Sequence, residues 1–200
     1  MSRLCCTRCL RPGLYCVCPH VVRVKNRTRV LILQHVQEQR HPLNTGRLAA
    51  LSLQNCELWV GEYFPRLDEE IAASPSASLL FPGPGACIPS APARDFDRGS
   101  ALLIVPDGTW RKARKIVHAN PVLSSLPWWQ LPAGEPSRYR VRKTNEAAAV
   151  STIEAIVRTL SALEPDQDFQ PLLKPFDALI EQQIAAMGND VYQRNHARSE

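Results

Sequence analysis

Short apolar runs alternate with longer amphipathic stretches along this chain, and this pattern is typical of an α/β protein. The apolar runs have the length of buried strands, and polar residues, glycines or prolines bound each of them. Four strands are predicted in this way, over residues 29–35, 56–60, 78–81 and 101–105. Helices are predicted over residues 48–53, 111–117, about 145–163 and 171–187. The breaker-rich segment 81–92 is expected to be a long loop within one domain, because the chain on either side is too short for a separate core.

Polar side chains and glycines follow two of the predicted strands where each apolar run ends. Ligand-binding loops of α/β proteins lie at the carboxyl ends of strands, so these residues are candidates for a binding site. The candidates are Asn44, Thr45, Gly46 and Arg47 after the first strand, and Pro106, Asp107, Gly108, Thr109 and Trp110 after the last. A capped helix start also explains both patterns, with Asn44 or Thr45 and Asp107 or Thr109 as capping residues. The sequence contains neither a P-loop nor a G-x-G-x-x-G motif.

Basic side chains are concentrated in two clusters after these loops. The first, Arg111, Lys112, Arg114 and Lys115, falls in the first turns of a predicted helix, where positive charge opposes the helix dipole. An anionic ligand near that turn relieves the conflict. The second, residues 138–143, alternates like an extended segment, with its arginines on one face and Tyr139 on the other. Basic groups interleaved with aromatic rings suit RNA, which is bound through phosphates and stacked bases.

A Ser-Thr-x-Glu sequence, Ser151 to Glu154, lies within the helix predicted from about residue 145. Its spacing is that of a capping box, in which the first and last side chains each bond the other's backbone N–H. The helix is expected to start earlier, at Asn145, so these residues lie past its first turn. Their side chains are then candidates for contacting a ligand instead of capping the helix.

The composition excludes several other classes of protein. A hydrophobic fraction of 44% and a charged fraction of 22% exclude global disorder, collagen and coiled coil. The net charge of +5 is only mildly basic, but it is unevenly distributed: residues 1–48 carry +8, 49–100 carry −4, 101–145 carry +6 and 146–200 carry −5. If the fold brings the two basic segments together, they form one positive face for a polyanion. Charge scattered over the whole surface is the alternative.

Four of the seven cysteines form two closely spaced pairs near the start of the chain. Cys6 and Cys9 have two residues between them, and Cys16 and Cys18 have one. Four thiolates close a tetrahedral structural zinc site, and a short loop with little core of its own needs such a link. Cys5 is the alternative to Cys6 as the first ligand. A reduced cysteine-rich tail without metal and a redox role are the competing interpretations.

Nothing in the sequence predicts a membrane segment. No stretch reaches the roughly 18 apolar residues of a membrane span, and cysteines stand where a signal peptide has its apolar core. We therefore expect a cytoplasmic, monomeric protein with no membrane partner, in which the cysteines are reduced. The expected organisation is a zinc knuckle at residues 1–27, an α/β domain at residues 28–188 and a flexible tail at residues 189–200.

Five motifs that occur in order resemble those of the DTW-domain family. They are the four cysteines, residues 42–47 with Asn44-Thr45-Gly46-Arg47, the signature Asp107-Gly108-Thr109-Trp110, residues 139–143, and Ser151–Glu154. The resemblance covers nearly the whole chain. It implies that residues 28–188 form a catalytic domain with a SPOUT-like α/β fold, in which helices flank a mainly parallel sheet and the cofactor site is knotted.

The resemblance also implies an activity. Bacterial members of the family are similar to tRNA-uridine aminocarboxypropyltransferases, which transfer the 3-amino-3-carboxypropyl group of S-adenosylmethionine to N3 of a tRNA uridine. The uridine is typically uridine 47 in the variable loop, and 5′-methylthioadenosine is released. An S-adenosylmethionine-dependent RNA methyltransferase and a non-catalytic zinc-containing RNA-binding module are the alternatives.

This chemistry assigns roles to the candidate residues. Uracil N3 must lose its proton, so a general base is expected: Asp107 is the candidate, and Glu154 is the reserve or the partner of the cofactor's ammonium. A guanidinium from Arg47, Arg140 or Arg142 is expected to bind the cofactor's carboxylate. The other cofactor candidates are Asn44, Thr45, Gly46, Pro106, Gly108, Thr109, Trp110, Ser151 and Thr152. The candidates for binding tRNA phosphates are Arg111, Lys112, Arg114, Lys115, Arg138, Arg142 and Lys143.

Overall fold

Five parallel strands form a central sheet with helices on both of its faces. The protein is described by a computed structural model over residues 4–74, 76–89, 101–132, 134–139 and 150–196. Within these ranges the strands are β1 (Arg29–Gln34), β2 (Cys56–Val60), β3 (Ser76–Leu80), β4 (Ala101–Asp107) and β5 (Trp128–Trp129). Their order in the sheet is β2-β1-β4-β3-β5, and every pair of neighbouring strands is parallel. The predicted α/β class, with flanking helices and a mainly parallel sheet, is confirmed.

The neighbouring strands β1 and β4 determine where polar side chains reach the edge of the sheet. β1 and β4 are covered on both faces, which is why they read as continuous apolar runs in the sequence. Their register pairs Gln34 with Asp107 at the carboxyl end of each strand. Two polar residues therefore lie side by side at the end of an apolar sheet.

The helices form two layers. They are α1 (Thr45–Ser52), α2 (Leu67–Ala72), α3 (Trp110–Ala119), α4 (Thr152–Leu163), α5 (Lys174–Met187) and α6 (Asn189–His196). α1, α4 and α5 cover one face of the sheet, and α2 and α3 cover the other. Residues of β1 alternate between the layers: Val30 and Ile32 pack with the first, and Leu31 and Leu33 with the second. Among the described residues, no helix has the length and apolar character needed to span a bilayer.

Four elements differ from the sequence prediction, and one of them is α2, where the sequence predicts no helix. α4 begins at Thr152 rather than near residue 145, because Ser151 and Glu154 form a complete capping box. Ser151 is thus the N-cap of α4 rather than a residue of the helix interior, and Glu154 lies in the first turn. The sequence does not predict β5, because two residues are too few for a periodic pattern. Helix α6 is formed where we expected a frayed tail, and residues 197–200 lie outside the described part of the chain.

The cysteine-rich segment packs against the first helix layer. Cys9 and Val17 are buried in the same hydrophobic core as residues of α4 and α5. Arg11 is also buried, and its guanidinium donates hydrogen bonds to the carbonyl oxygen of Pro42 and to Oε1 of Gln182. Arg11 therefore joins the cysteine-rich segment to the loop before α1 and to α5.

Candidate functional site

A cavity of about 640 Å³ opens at the carboxyl edge of the sheet, beside the ends of β3 and β4. Parallel α/β sheets bind ligands at this edge, and the volume lies within the range of small-molecule sites. Sequence candidates from three separate parts of the chain line it: Asn44, Thr45, Pro106, Asp107, Gly108, Thr109, Trp110, Lys112, Ser151 and Thr152. The amino-terminal ends of α1, α3 and α4 therefore meet around one cavity, and they bring these candidates together.

Asp107 is the buried acid of this cavity. It is the last residue of β4, and its carboxylate accepts hydrogen bonds from Nε2 of Gln34 (2.7 Å) and from the hydroxyl of Thr152. Burial raises the pKa of the Asp107 carboxyl above that of an ordinary aspartate, and these two hydrogen bonds offset part of the increase. A carboxylate with a raised pKa is a stronger base than an exposed one.

Gln34 is a site residue that the sequence reasoning missed. Its amide nitrogen donates to Oδ1 of Asn44 (2.8 Å) as well as to Asp107, so it connects the base of the cavity to the start of α1. Asn44 in turn caps α1, because its Oδ1 accepts from the backbone N–H of Arg47 (2.9 Å). The signal was a polar side chain at the end of an otherwise apolar, buried strand.

Gly46 lies behind Asp107 in the first turn of α1. A β-carbon at this position would be 2.5 Å from Oδ2 and 2.7 Å from Cγ of Asp107, closer than real contacts allow. The absence of a side chain at Gly46 therefore makes room for the Asp107 carboxylate. Gly46 supports the cavity from behind and is not among the described residues that line it.

We expect Gly46→Ala to lower the free energy of unfolding by about 1–3 kcal/mol, as overpacked cores do. The added methyl group must displace the Asp107 carboxylate from its hydrogen bonds with Gln34 and Thr152. Urea denaturation measures the change. The matched control is Gly13→Ala, where the nearest atom to a new β-carbon is 3.6 Å away and a change within about 0.5 kcal/mol is expected. Equal changes in the free energy of unfolding for the two substitutions would contradict the close approach of Gly46 to the Asp107 carboxylate.

The turn from β4 into α3 shapes one side of the cavity. Gly108 has φ 154°, and the side chain of Thr109 caps α3 by accepting a hydrogen bond from the Lys112 N–H. Trp110 is 38% exposed, and its ring meets that of Phe81 edge-on with centroids 5.9 Å apart. The apolar wall of the cavity is formed by Leu80, Phe81, Val105, Trp129, Leu131 and Tyr139. The cavity thus combines a flat apolar wall with a polar base.

Lys112 lies in the wall of the cavity rather than on the outer surface. Its ammonium nitrogen is 2.7 Å from Oε1 of Glu38, and both residues line the cavity. The side chains are 18% and 13% exposed. The sequence reasoning assigned Lys112 to RNA phosphates and assigned no role to Glu38, because only the fold brings the two together.

The outer face of α3 carries the other basic residues of its cluster. Arg111, Arg114, Lys115 and His118 are exposed and follow helical spacing, so they form one stripe, which we call the basic stripe. α3 contains no acidic residue. Lys115 forms an exposed ion pair with Glu62 (2.7 Å). The stripe starts beside the mouth of the cavity, because Trp110 and Arg111 are neighbours.

Glu154 lies behind the cavity wall. Its carboxylate accepts hydrogen bonds from the hydroxyl of Ser137 (2.8 Å), the N–H of Arg138 (2.7 Å) and the N–H and hydroxyl of Ser151 (2.8 and 2.6 Å). With four donors it holds the segment before residue 140 against the start of α4, which is a positioning role. Among the described residues it is not part of the cavity lining.

The candidate arginines are dispersed. Arg47 is outside the described cavity lining, and its buried Nε has no hydrogen-bond partner among the described residues. Arg138 is exposed and forms an ion pair with Asp177 (3.1 Å) outside any strand. The remaining candidates, Arg140, Arg142 and Lys143, lie outside the described residues, as does most of the extended segment predicted over residues 138–143.

The four predicted cysteine ligands form a single cluster. The sulfur atoms of Cys6, Cys9, Cys16 and Cys18 all lie within 4.8 Å of one another, with Cys6–Cys18 at 3.6 Å and Cys9–Cys16 at 3.8 Å. A tetrahedral zinc ion with Zn–S bonds of about 2.3 Å separates its sulfur ligands by about 3.8 Å, so the cluster fits zinc. Cys5 is exposed and outside the cluster, which favours Cys6 as the first ligand.

The thiols of this cluster differ in their pKa values. Backbone N–H groups of Cys9 and Arg8 lower the pKa of the Cys6 thiol to about 6. Burial and the neighbouring thiols raise the pKa of Cys18 to about 12. Four thiolates in contact repel one another, so a divalent cation is needed to hold all of them deprotonated.

The fold and site define a class: a three-layer α/β protein with a mixed polar and apolar cavity at the carboxyl edge of a parallel sheet and a cysteine cluster that could hold a metal ion. The chain belongs to the DTW domain family, whose model matches residues 3–184. The resemblance of the five motifs is thus confirmed. No solved structure matches the chain.

Curated relatives share much of this sequence. It is 29% identical over 191 residues to tRNA-uridine aminocarboxypropyltransferase 2 of Drosophila melanogaster, with 90% of this chain and 74% of the fly protein covered. It is 31% identical over 188 residues to the protein of that name from Mus musculus, with 90% and 63% covered. It is 30% identical over 197 residues to tRNA-uridine aminocarboxypropyltransferase A of Arabidopsis thaliana, with 80% and 73% covered. The chain therefore spans less than two thirds of the length of the mouse protein.

Proposed function

We propose that this protein is a tRNA-uridine aminocarboxypropyltransferase. It transfers the 3-amino-3-carboxypropyl group of S-adenosylmethionine to N3 of a tRNA uridine, uridine 47 of the variable loop, and releases 5′-methylthioadenosine. The observation that carries the proposal is the buried carboxylate of Asp107, the first residue of the DTW signature, at the base of the cavity. The names of the curated relatives support the same reaction.

The cavity suits S-adenosylmethionine in size and character. The apolar wall around Phe81, Trp129 and Leu131 takes the adenosine, and polar groups from Asn44, Thr45, Gly108, Thr109, Ser151 and Thr152 fix its orientation. In this proposal the sulfonium lies on the side of the cavity where Asp107 is found.

The reaction needs one proton transfer and one substitution. Asp107 accepts the N3 proton of uracil, and N3 attacks the methionyl Cγ as the S–Cγ bond breaks. The electron pair of that bond returns to sulfur, which becomes the neutral thioether of 5′-methylthioadenosine. Gln34 and Thr152 hold the Asp107 carboxylate in place through their hydrogen bonds while it accepts the proton.

Two further parts of the chain complete the proposal. The basic stripe binds tRNA phosphates beside the cavity mouth, together with Arg138, Arg142 and Lys143. The zinc knuckle of residues 1–27 is structural, with Cys6, Cys9, Cys16 and Cys18 as the ligands, and residues 28–188 form the catalytic domain. The SPOUT-like knot, the flexible end of the tail, the monomeric state and the cytoplasmic location are proposals that rest on the sequence and on the family resemblance.

The basic stripe leads to a prediction on binding. Arg111→Gln combined with Arg114→Gln is expected to weaken tRNA binding by about 10-fold or more and to reduce the slope of log K against log salt by about 1 to 2, because each arginine neutralises a phosphate. Filter binding at several salt concentrations measures both. Lys174→Gln, an exposed charge on α5 across the sheet, is the matched control and changes neither by more than about 2-fold. Lys174→Gln removes one positive charge and the double variant removes two, so a control loss half as large in log K would show that binding depends on net charge alone.

The labelling pattern of the product tests the reaction itself. The protein is incubated with unmodified tRNA and S-adenosylmethionine labelled in either the carboxyl carbon or the methyl group. Carboxyl label is expected in the tRNA, and methyl label entering instead would identify a methyltransferase. A tRNA-binding protein with no saturable affinity for S-adenosylmethionine would be a non-catalytic module.

A further inference from the structure

A desolvated ion pair lines the cavity and has no role in the reaction described so far. Lys112 belongs to the first turn of α3, Glu38 to the turn after β1, and their charged atoms are 2.7 Å apart. Among the described cavity-lining residues, the other titratable side chains are Asp107, His41 and Tyr139. Among the described residues that line the cavity, Lys112 is therefore the only lysine or arginine that can contact a ligand.

The position of this pair is energetically unusual for a purely structural contact. A half-buried ion pair loses hydration that its mutual attraction repays only in part, and a cation in the first turn of a helix opposes the helix dipole. The pair between Lys115 and Glu62, one turn further along α3, has the same 2.7 Å separation with side chains 60% and 34% exposed. Glu38 and Lys112 are thus much less exposed to water than the pair between Lys115 and Glu62, and both line the cavity, where a ligand can contact both charges.

We propose that Glu38 and Lys112 form a subsite for an α-amino acid zwitterion, the methionyl end of S-adenosylmethionine. The ammonium nitrogen of Lys112 binds the ligand's carboxylate, and the carboxylate of Glu38 binds the ligand's ammonium, so the internal ion pair is exchanged for two ion pairs with the ligand. This inference rests on the proposed function, since it assigns the end of the cosubstrate that is transferred.

The subsite explains how one of three sulfonium carbons is selected. The two opposite charges on Cα are both bound, so the methionyl chain is anchored at its amino acid end, beside Gly108 and the neighbouring side chain of Glu38. With the chain fixed, Cγ rather than the methyl group is directed at the acceptor, and orientation of this kind contributes several orders of magnitude in rate. The subsite also replaces Arg47, which lies outside the described lining, as the partner of the carboxylate.

Binding of three related ligands tests the subsite by calorimetry. S-adenosylmethionine carries both charges of the amino acid, decarboxylated S-adenosylmethionine lacks the carboxylate, and 5′-methylthioadenosine lacks both. Lys112→Met is expected to weaken S-adenosylmethionine by about 10- to 100-fold, to leave 5′-methylthioadenosine within about 2-fold, and to abolish the preference over the decarboxylated ligand. Glu38→Gln is expected to weaken both ligands that carry the ammonium. Lys112→Arg, which keeps the cation, is expected to restore most of the affinity.

A control variant accompanies this experiment, and different results would contradict the inference and the proposed function. Lys174→Met removes an exposed lysine from α5 and is expected to bind S-adenosylmethionine like the wild type. If Lys112→Met weakens 5′-methylthioadenosine as much as S-adenosylmethionine, or weakens tRNA alone, the inference is wrong while the proposed function stands. If the wild type shows no saturable binding of S-adenosylmethionine, the proposed function fails, and the inference fails with it.

Discussion

Asp107→Asn is expected to lower kcat by about 10²- to 10⁴-fold, the usual contribution of a general base, while the affinity for S-adenosylmethionine changes by less than about 3-fold. Asparagine keeps the size of the side chain, and its amide oxygen replaces one of the two carboxylate oxygens that accept from Gln34 and Thr152. It cannot accept the N3 proton of uracil. Single-turnover transfer of carboxyl label to tRNA, with calorimetry of the cosubstrate, separates chemistry from binding.

The pH dependence of transfer gives a second measure of the same group. Asp107 acts as a base only when ionised, so kcat/KM falls as the pH drops through its pKa in the folded protein. Burial raises that pKa, so the fall begins at a higher pH than for an ordinary aspartate near 3.9. The residual activity of Asp107→Asn is expected to lack this acidic limb. An unchanged kcat in the variant would remove Asp107 from the base role.

Stability provides the control for folding. Because the folded state raises the pKa of Asp107, the stability that this group contributes is fully present below the pKa of the unfolded chain and is lost as the pH rises through the folded pKa. At neutral pH the ionised Asp107 carboxylate therefore lowers the free energy of unfolding. Asp107→Asn removes this destabilisation and is expected to unfold at the same or a higher urea concentration than the wild type. A clear loss of stability would assign part of the kinetic effect to misfolding.

The central sheet and the location of the site are predictable because they depend on patterns within short segments of the sequence. β1 and β4 are buried on both faces, so each is an uninterrupted apolar run, and the turn residues after Val105 mark where β4 ends. The rule that parallel strands present their carboxyl ends to ligands then places Asn44 and Asp107 at one edge. Both line the same cavity.

The contacts between distant segments are not predictable from the sequence. Gln34 reads as the last residue of a strand, and only the pairing of β1 with β4 shows that it bonds Asp107. Lys112 reads as one of four basic residues on a helix, and only the position of the turn after β1 brings Glu38 to it. Glu154 has the right chemistry for a ligand, but the capping box and the Ser137 hydroxyl occupy its carboxylate. In each case the role depends on a partner that local spacing does not reveal.

The cysteine cluster shows how far one motif can support the rest of the fold. Cys9 and Val17 are buried against the first helix layer, so residues around the cluster contribute to the main core. Arg11, in the turn between the two cysteine pairs, donates to the Pro42 carbonyl beside the start of α1. Asn44, which lines the cavity, lies two residues further along. A metal that holds the cluster together therefore also supports one wall of the cavity.

Loss of zinc is accordingly expected to destabilise the whole protein. Structural zinc contributes about 10 kcal/mol or more to small zinc-dependent folds. Here the helix layers remain, so we expect removal to cost about 3–5 kcal/mol, a fall in Tm of about 10 °C or more. Cys6→Ser is expected to reproduce the effect of a chelator, because three ligands hold zinc weakly. The measurements are metal content by mass spectrometry and Tm by differential scanning fluorimetry.

The neighbouring cysteine supplies the control for this prediction. Cys5→Ser removes an exposed thiol outside the cluster, so this variant is expected to retain one zinc per chain and the wild-type Tm. The Cys6→Ser protein is also expected to bind S-adenosylmethionine more weakly, because Arg11 no longer holds the loop that leads to Asn44. If Cys5→Ser loses the metal and Cys6→Ser keeps it, the ligand assignment is reversed. If neither variant changes the metal content or the Tm, the cluster is not a structural zinc site, and its buried contacts alone join it to the core.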